Sequence, residues 1–318
     1  MDPVQHYLSQ YSGQAIGPRA AWLSLQQDQA IELVRKQGFP TRRQEEWKYT
    51  DVQPILKRDF SFAVEDGAIT DQGLDDLSRI DGLDCYRLVF VNGRYHSGDS
   101  VDGLAQQGII IKSLQQAIRA DDSLVQTHLN RYNAPGKNAF ADLNTAFMRD
   151  GCVIILADNA ILDRPLNLVY LSEQQDNASA CTPRNLIVLG KFARATVIES
   201  YMGTDTAEYF TNTITEISLE HGAELIHYKL QQEGSQAFHI GNVQVEQKRD
   251  SRLVSHSIAL GGKLVRNDID VRLTEPGAEV VLNGLYMAGQ SQHVDNHTRI
   301  DHLCPHTSSS ETYRGVLS

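Results

Sequence analysis

Cysteine is scarce in this chain, and the few present are widely scattered. Four occur in 318 residues, Cys85, Cys152, Cys181 and Cys304, with no C-x-x-C among them. That argues against a disulfide framework and for reduced thiols in a reducing cytosol. Basic charge is also short: 29 Lys and Arg stand against 40 Asp and Glu, a formal net charge of -11. Phosphate backbones need a basic face, so nucleic acid is not an expected partner. No stretch approaches the roughly 20 apolar residues of a membrane span, so no membrane association is expected. The opening MDPVQHYLSQ has neither the basic nor the apolar region of a signal peptide, and a cytoplasmic location is expected. Two catalytic signatures are missing as well. No G-x-S-x-G elbow occurs, and Gly136-Lys137 is followed by Asn138, so no P-loop is present.

What the sequence does have is a repeat. In TNTITEISLEHGAELIHYKL an alternating run meets a small-residue turn at Gly222-Ala223, and a second apolar run follows. The pattern recurs around Asp250-Ser251 and Gly277-Ala278, with a weaker copy at Phe192-Ala193. The turns lie about 30, 28 and 27 residues apart, inside the range of solenoids. Alternation with a period of two and β-branched content signal strands. One unit alone has too little apolar surface for a core, whereas stacked units bury a continuous column and pair strand to strand. A β-solenoid is therefore expected, with a meander or sandwich of ordinary hairpins as the alternative.

Residues 1–84 read as a helical N-terminal region, 85–150 as a mixed α/β connecting segment and 151–318 as the β-helix core. Ala20 to Gln37 has helical spacing, a Gly38 cap and Pro40 beyond it. Thr41 to Leu56 reads as a connector in which Trp47 and Tyr49 pin the helical region, or as a partner-docking element. Residues 61 to 84 read as a surface connection. A hairpin is expected at Arg87–Val91, Asn92-Gly93 and Arg94–His96. A strand follows at Ile109–Ile111. Ser113 should cap a short helix, Asp122 to Arg131 should form another, and Ala139 to Met148 a buried one. Glu311–Ser318 reads as one more strand. A solenoid stopping there would expose a coil edge, so the chain reads as a fragment or as capped by a partner.

The densest set of candidate ligands is His293, His297, His302, Cys304 and His306. Residues two apart on a strand share a face, so His302, Cys304 and His306 could form a metal site. The plainer reading is a ladder of imidazoles and hydroxyls bonded to one another. Pro305 interrupts the strand, and the spacing matches no zinc motif. Asp268 and Asp270 could serve a polysaccharide-cleaving β-helix enzyme, but they alternate as residues of a solvated face should. Glu199, Glu216, Glu233 and His227 carry no stronger signal singly. A secreted-type polysaccharide enzyme and a stand-alone metal-binding protein are thus the alternatives to a non-catalytic role, for which no catalytic residue is assigned.

Several motifs together resemble a known family. Thr41–Thr50 (TRRQEEWKYT), Asn138–Phe147 (NAFADLNTAF), Pro183–Ile187 (PRNLI), Val294–Thr298 (VDNHT) and Ser310–Gly315 (SETYRG) resemble the SufB/SufD family of scaffold subunits in the Suf iron–sulfur cluster assembly machinery. Phe238-His239-Ile240 and the long helical N-terminal region are closer to SufD than to SufB. The resemblance covers nearly the whole chain in the family's order. It implies a right-handed parallel β-helix after a helical region, and a complex with SufB and the ATPase SufC. A homodimer is the association open to it without those partners. It implies no permanently bound cofactor, with iron or an Fe–S cluster handled transiently in the complex. It also implies that the sequence stops before a C-terminal helical region, which would hold the SufC-docking residues and a Cys/His-bearing segment. Cys304 and His306 lie in a different motif and do not inherit that role.

Overall fold

The computed structural model describes residues 2–12, 20–62, 73, 77–99, 101–173, 175, 177–204, 206–289 and 291–317. Most of the 61–84 connection lies outside the described residues. The fold is a β-solenoid of about six turns with a helical region before it.

Two sheets face each other. One has the order β16 (Ser308–Leu317), β14 (Glu279–Ala288), β12 (Arg252–Ala259), β10 (Glu224–Gln232), β8 (Arg194–Gly203), β5 (Leu166–Ser172), β1 (Tyr86–Val91) and β2 (Arg94–Gly98). The other runs β15 (His293–His302), β13 (Leu264–Leu273), β11 (Phe238–Gln247), β9 (Tyr209–Leu219), β7 (Arg184–Leu189), β4 (Cys152–Leu156) and β3 (Ile109–Ser113), with the short β6 (Ser179–Cys181) beside β9. Pairing is parallel except for β1 with β2 and β3 with β4. The sheets therefore begin at Tyr86, within the segment expected to be a connector. The Asn92-Gly93 hairpin forms as expected, with both turn residues at positive φ.

The coil corners explain the repeat. Asn159, Phe192, Gly222, Asp250, Gly277 and His306 all have positive φ. A small residue follows each, and Ala193, Ala223, Ser251 and Ala278 are fully buried. The corner thus needs a left-handed residue and then a side chain small enough to point inward. Counting in twos from that small residue gives the inward phase of the next strand: Ala223, Leu225, His227, Lys229, Gln231. Near the corner this phase is apolar and stacks into one core, with Val197, Leu225, Leu253 and Val280 facing Ile217, Val245 and Val271.

Helices cover the outer face of the second sheet. They are α1 (Pro3–Ser12), α2 (Ala21–Gln37), α3 (Gln53–Leu56), α4 (Leu114–Arg119), α5 (Ser123–His128) and α6 (Ala139–Phe147). Gly38, at φ 66°, ends α2 by returning its N–H to Val34. Ser113 and Gln116 form a capping box on α4. The side chain of Asp122 caps α5, which stops at His128, short of the expected Arg131. All nine residues of α6 are buried. Phe140, Phe60, Phe210 and Phe238 pack between helices and sheet. Trp47 is buried against Phe140, with the Arg266 guanidinium 3.9 Å from its ring centroid. Tyr49, expected to help pin the region, is 75% exposed and does not.

Candidate functional site

Away from the corners the solenoid interior is polar. The inward phase reaches Glu199 and Tyr201 on β8, then His227, Lys229 and Gln231 on β10, and Glu233 just beyond it. Thr211, Thr213 and Thr215 on β9, His239 and Gly241 on β11 and Asn267 on β13 line the facing wall. All the polar side chains of this set are buried.

Two linked clusters result. Glu199 accepts a hydrogen bond from Thr215 Oγ1 at 2.6 Å and another from the Tyr201 hydroxyl at 2.5 Å. His227 Nε2 lies 3.0 Å from the same carboxylate, and its Nδ1 lies 3.2 Å from Ser255 Oγ. In the second cluster Glu233 accepts from Thr211 Oγ1 at 2.8 Å and from Gln231 Nε2 at 3.0 Å. His239 Nδ1 is 2.7 Å from Glu233 Oε2, but it lies off the line a hydrogen bond needs. Lys229 joins the clusters. Its Nζ donates to Asn267 Oδ1 at 2.6 Å and sits 5.4 Å from the Tyr201 ring centroid. Gly241 makes room for it, because a Cβ there would lie 2.0 Å from Nζ.

Burial and charge compete at each group. Burial pushes the Glu199 carboxyl up, but His227 and the two hydroxyls outweigh it and hold it down at about 2. Glu233 is likewise lowered, with His239 offsetting burial. Burial depresses Lys229 to about 8, with Glu199, Glu233 and Asp268 partly restoring its charge. Three of the thiols are not poised as nucleophiles. Burial raises Cys85, raises Cys152 strongly and pushes Cys181 up to about 12. The interior groups lie within hydrogen-bonding reach of one another, and their side chains are buried.

The residues singled out in sequence fall elsewhere. His302 ends β15, with Nδ1 2.7 Å from Thr307 Oγ1 and Nε2 3.1 Å from Ser309 Oγ. Cys304 and His306 lie past the strand, in the corner around Pro305. The expected shared strand face therefore does not exist, and His306 holds the left-handed corner position at φ 62°. Among the described residues no group of three or more His, Cys, Asp or Glu could hold a metal ion. His293 Nε2 is 3.0 Å from Thr50 Oγ1.

Asp268 is not on a solvated face. It is buried, because the helical region covers that side, and it pairs with Arg266 at 2.8 Å. Arg266 also reaches Asp295 at 2.7 Å and the Glu46 carbonyl at 2.8 Å. Burial raises the Asp268 carboxyl against the opposing pull of Arg266. Glu216, unremarkable in sequence, pairs with Arg184 at 2.6 Å, with both side chains fully buried.

A helical region laid over one face of a two-sheet parallel solenoid defines a structural class, the capped β-solenoid. Two family models match in order. The SufBD protein N-terminal region matches residues 4–168, and the SufBD core domain of SUF system FeS cluster assembly matches 170–318. The chain belongs to the SufBD family of iron–sulfur cluster assembly proteins. It is 24% identical over 318 residues to the iron–sulfur cluster assembly protein SufD of Escherichia coli, covering 98% of this chain and 69% of that one. It is 26% identical over 297 residues to a SufBD family protein of Synechocystis, covering 91% and 65%. With SufB of Bacillus subtilis it shares 23% over 232 residues, covering 68% and 49%. The chain thus spans about two thirds or less of the length of these relatives.

Proposed function

We propose that this chain is a non-catalytic, SufD-type scaffold subunit that acts in the cytoplasm in a complex with SufB and the ATPase SufC. Iron and sulfide would pass through that complex as cargo, with no resident cofactor on this chain. The observation that carries the reading is the in-order match of both family regions along a helical region and the solenoid that follows it. The architecture suits it. Successive coils pair strand to strand along both sheets, which makes one continuous body. The scaffold role is geometric: nucleotide-driven motion in the ATPase would be passed through a stiff solenoid to the SufB contact.

Neither rival reading gains an observation. Asp268 is buried and ion-paired with Arg266, which it shares with Asp295, and His302, Cys304 and His306 share no strand face. The test is to tag the complete gene product at its N-terminus, purify it from its host and identify what persists through gel filtration. Recovery of an ABC-type ATPase and a second β-helix subunit supports the scaffold. Recovery of the tagged protein alone removes its basis.

A further inference from the structure

A second feature lies outside the solenoid interior. A cavity of about 940 Å³ opens between the start of α2, β2, α4 and the 148–150 segment. Its size is near the upper end for small-molecule pockets. Trp22, Gln27, Arg94, Tyr95, Arg119 and Arg149 contribute to its wall.

Arg149 is in an unusual state. Its Nε and Nη2 are both shielded from water, and neither has a hydrogen-bond partner. Burial, and next the charge of Arg94, depress its pKa to about 10. The two carboxylates lining the cavity, Asp121 and Asp150, give Nε and Nη2 of Arg149 no hydrogen bond. Asp150 spends its oxygens on the backbone N–H groups of Tyr95, Gln115 and Gly151. Asp121 accepts from the Gln126 side chain at 2.9 Å. Gln27 Oε1 and Trp22 Nε1, also on the wall, are buried and without partners.

Nε and Nη2 share one edge of a guanidinium, the edge that meets two oxygens of a phosphate or carboxylate side by side. A small turn of this long side chain would carry that edge from the protein wall into the adjoining cavity. We propose that this cavity binds a small molecule through an oxyanion group, phosphate or carboxylate, held by Arg149, with Arg94 and Arg119 supplying positive potential and Trp22 a flat apolar wall. In a chain of net charge -11, three arginines and two aspartates line this cavity, a local balance of +1.

The test uses the intact protein and tryptophan fluorescence. Trp22 lines the cavity, and the other of the two tryptophans, Trp47, is buried against Phe140 and Arg266. Inorganic phosphate and succinate are titrated separately at constant ionic strength, with sodium chloride as the control for screening. A saturable change with one of them, absent with chloride and lost in Trp22→Phe, is expected, and the responding anion identifies the headgroup. Arg149→Gln should weaken it by about tenfold or more, the loss of a two-point charged contact. Should that variant fail to fold by circular dichroism, Arg119→Gln, on an exposed helix end, should weaken binding about threefold by lowering the local potential. No saturable response to either anion, or a response unchanged by the arginine substitution, overturns the proposal.

Discussion

The Arg184–Glu216 pair gives the sharpest test of how the helical region is fastened to the solenoid. Arg184, on β7, sends Nε and Nη2 to Glu216 Oε1 on β9 at 2.9 and 2.6 Å. Its remaining contacts include Asn144 at 3.2 Å and Asn130 at 3.0 Å in the helical region. Glu216 in turn accepts the backbone N–H groups of Asn130 at 2.8 Å and Tyr132 at 3.1 Å. Arg184→Met would leave a buried carboxylate with no counter-charge, and Glu216→Gln would leave a buried guanidinium. Each should cost about 3–5 kcal/mol, the usual penalty for breaking one side of a buried pair. The double variant removes both charges, while the amide that replaces the carboxylate keeps one acceptor oxygen for the backbone. Its cost should fall to about 1–3 kcal/mol, set by the polar partners left behind. The double variant is therefore expected to be more stable than either single one. Urea midpoints followed by circular dichroism, with the slope checked for constancy, read this directly. If the double loss equals the sum of the single losses, or if either single change costs under about 1 kcal/mol, the pair is not the fastening inferred here.

Three further outcomes follow from the same contacts. Burial raises the Asp142 carboxyl to about 6, so the folded state holds a proton there that the unfolded chain releases. The penalty is absent below the unfolded pKa, grows as pH rises and is complete above about 6. Asp142→Asn should stabilise the protein by about 1–2 kcal/mol near pH 8, after allowance for solvent screening, and the gain should shrink toward pH 4 in paired thermal melts. Trp47→Ala removes a buried ring packed against Phe140 and Arg266 and should cost about 3–5 kcal/mol, while Tyr49→Ala should stay within about 0.5. A reversed order in the melts would show that Thr41–Leu56 docks otherwise. Gly151→Ala would place a methyl 2.1 Å from the Arg184 carbonyl oxygen, against backbone that cannot move aside, so soluble folded protein should be lost. A variant that melts like the wild type would contradict that packing.

The repeat is legible because its corner has a strict local requirement. A left-handed residue followed by a small one marks Gly222-Ala223, Asp250-Ser251 and Gly277-Ala278 in sequence and in space. The same signal marks Asn159-Ala160 and His306-Thr307, which the count of turns passes over. At His306 the imidazole points to metal binding, while the backbone position is the informative feature. The polar interior can be found by counting in twos from each corner, since Glu199 and His227 are in phase with Val197 and Leu225. Asp268 misleads for the opposite reason. Its alternation is correct, but a face that alternates outward is solvated only if nothing lies over it.

The sequence by itself determined the period, the strands, the corner chemistry and the helix caps, because each depends on residues close along the chain. Tertiary structure alone decided which outward face is covered, that Arg184 meets Glu216, that Lys229 occupies the space left by Gly241, and that His302, Cys304 and His306 share no strand face. Those outcomes depend on how successive coils and the helical region stack. Stacking brings together residues whose separation along the chain carries no record of the meeting, and burial then sets the charge each can hold.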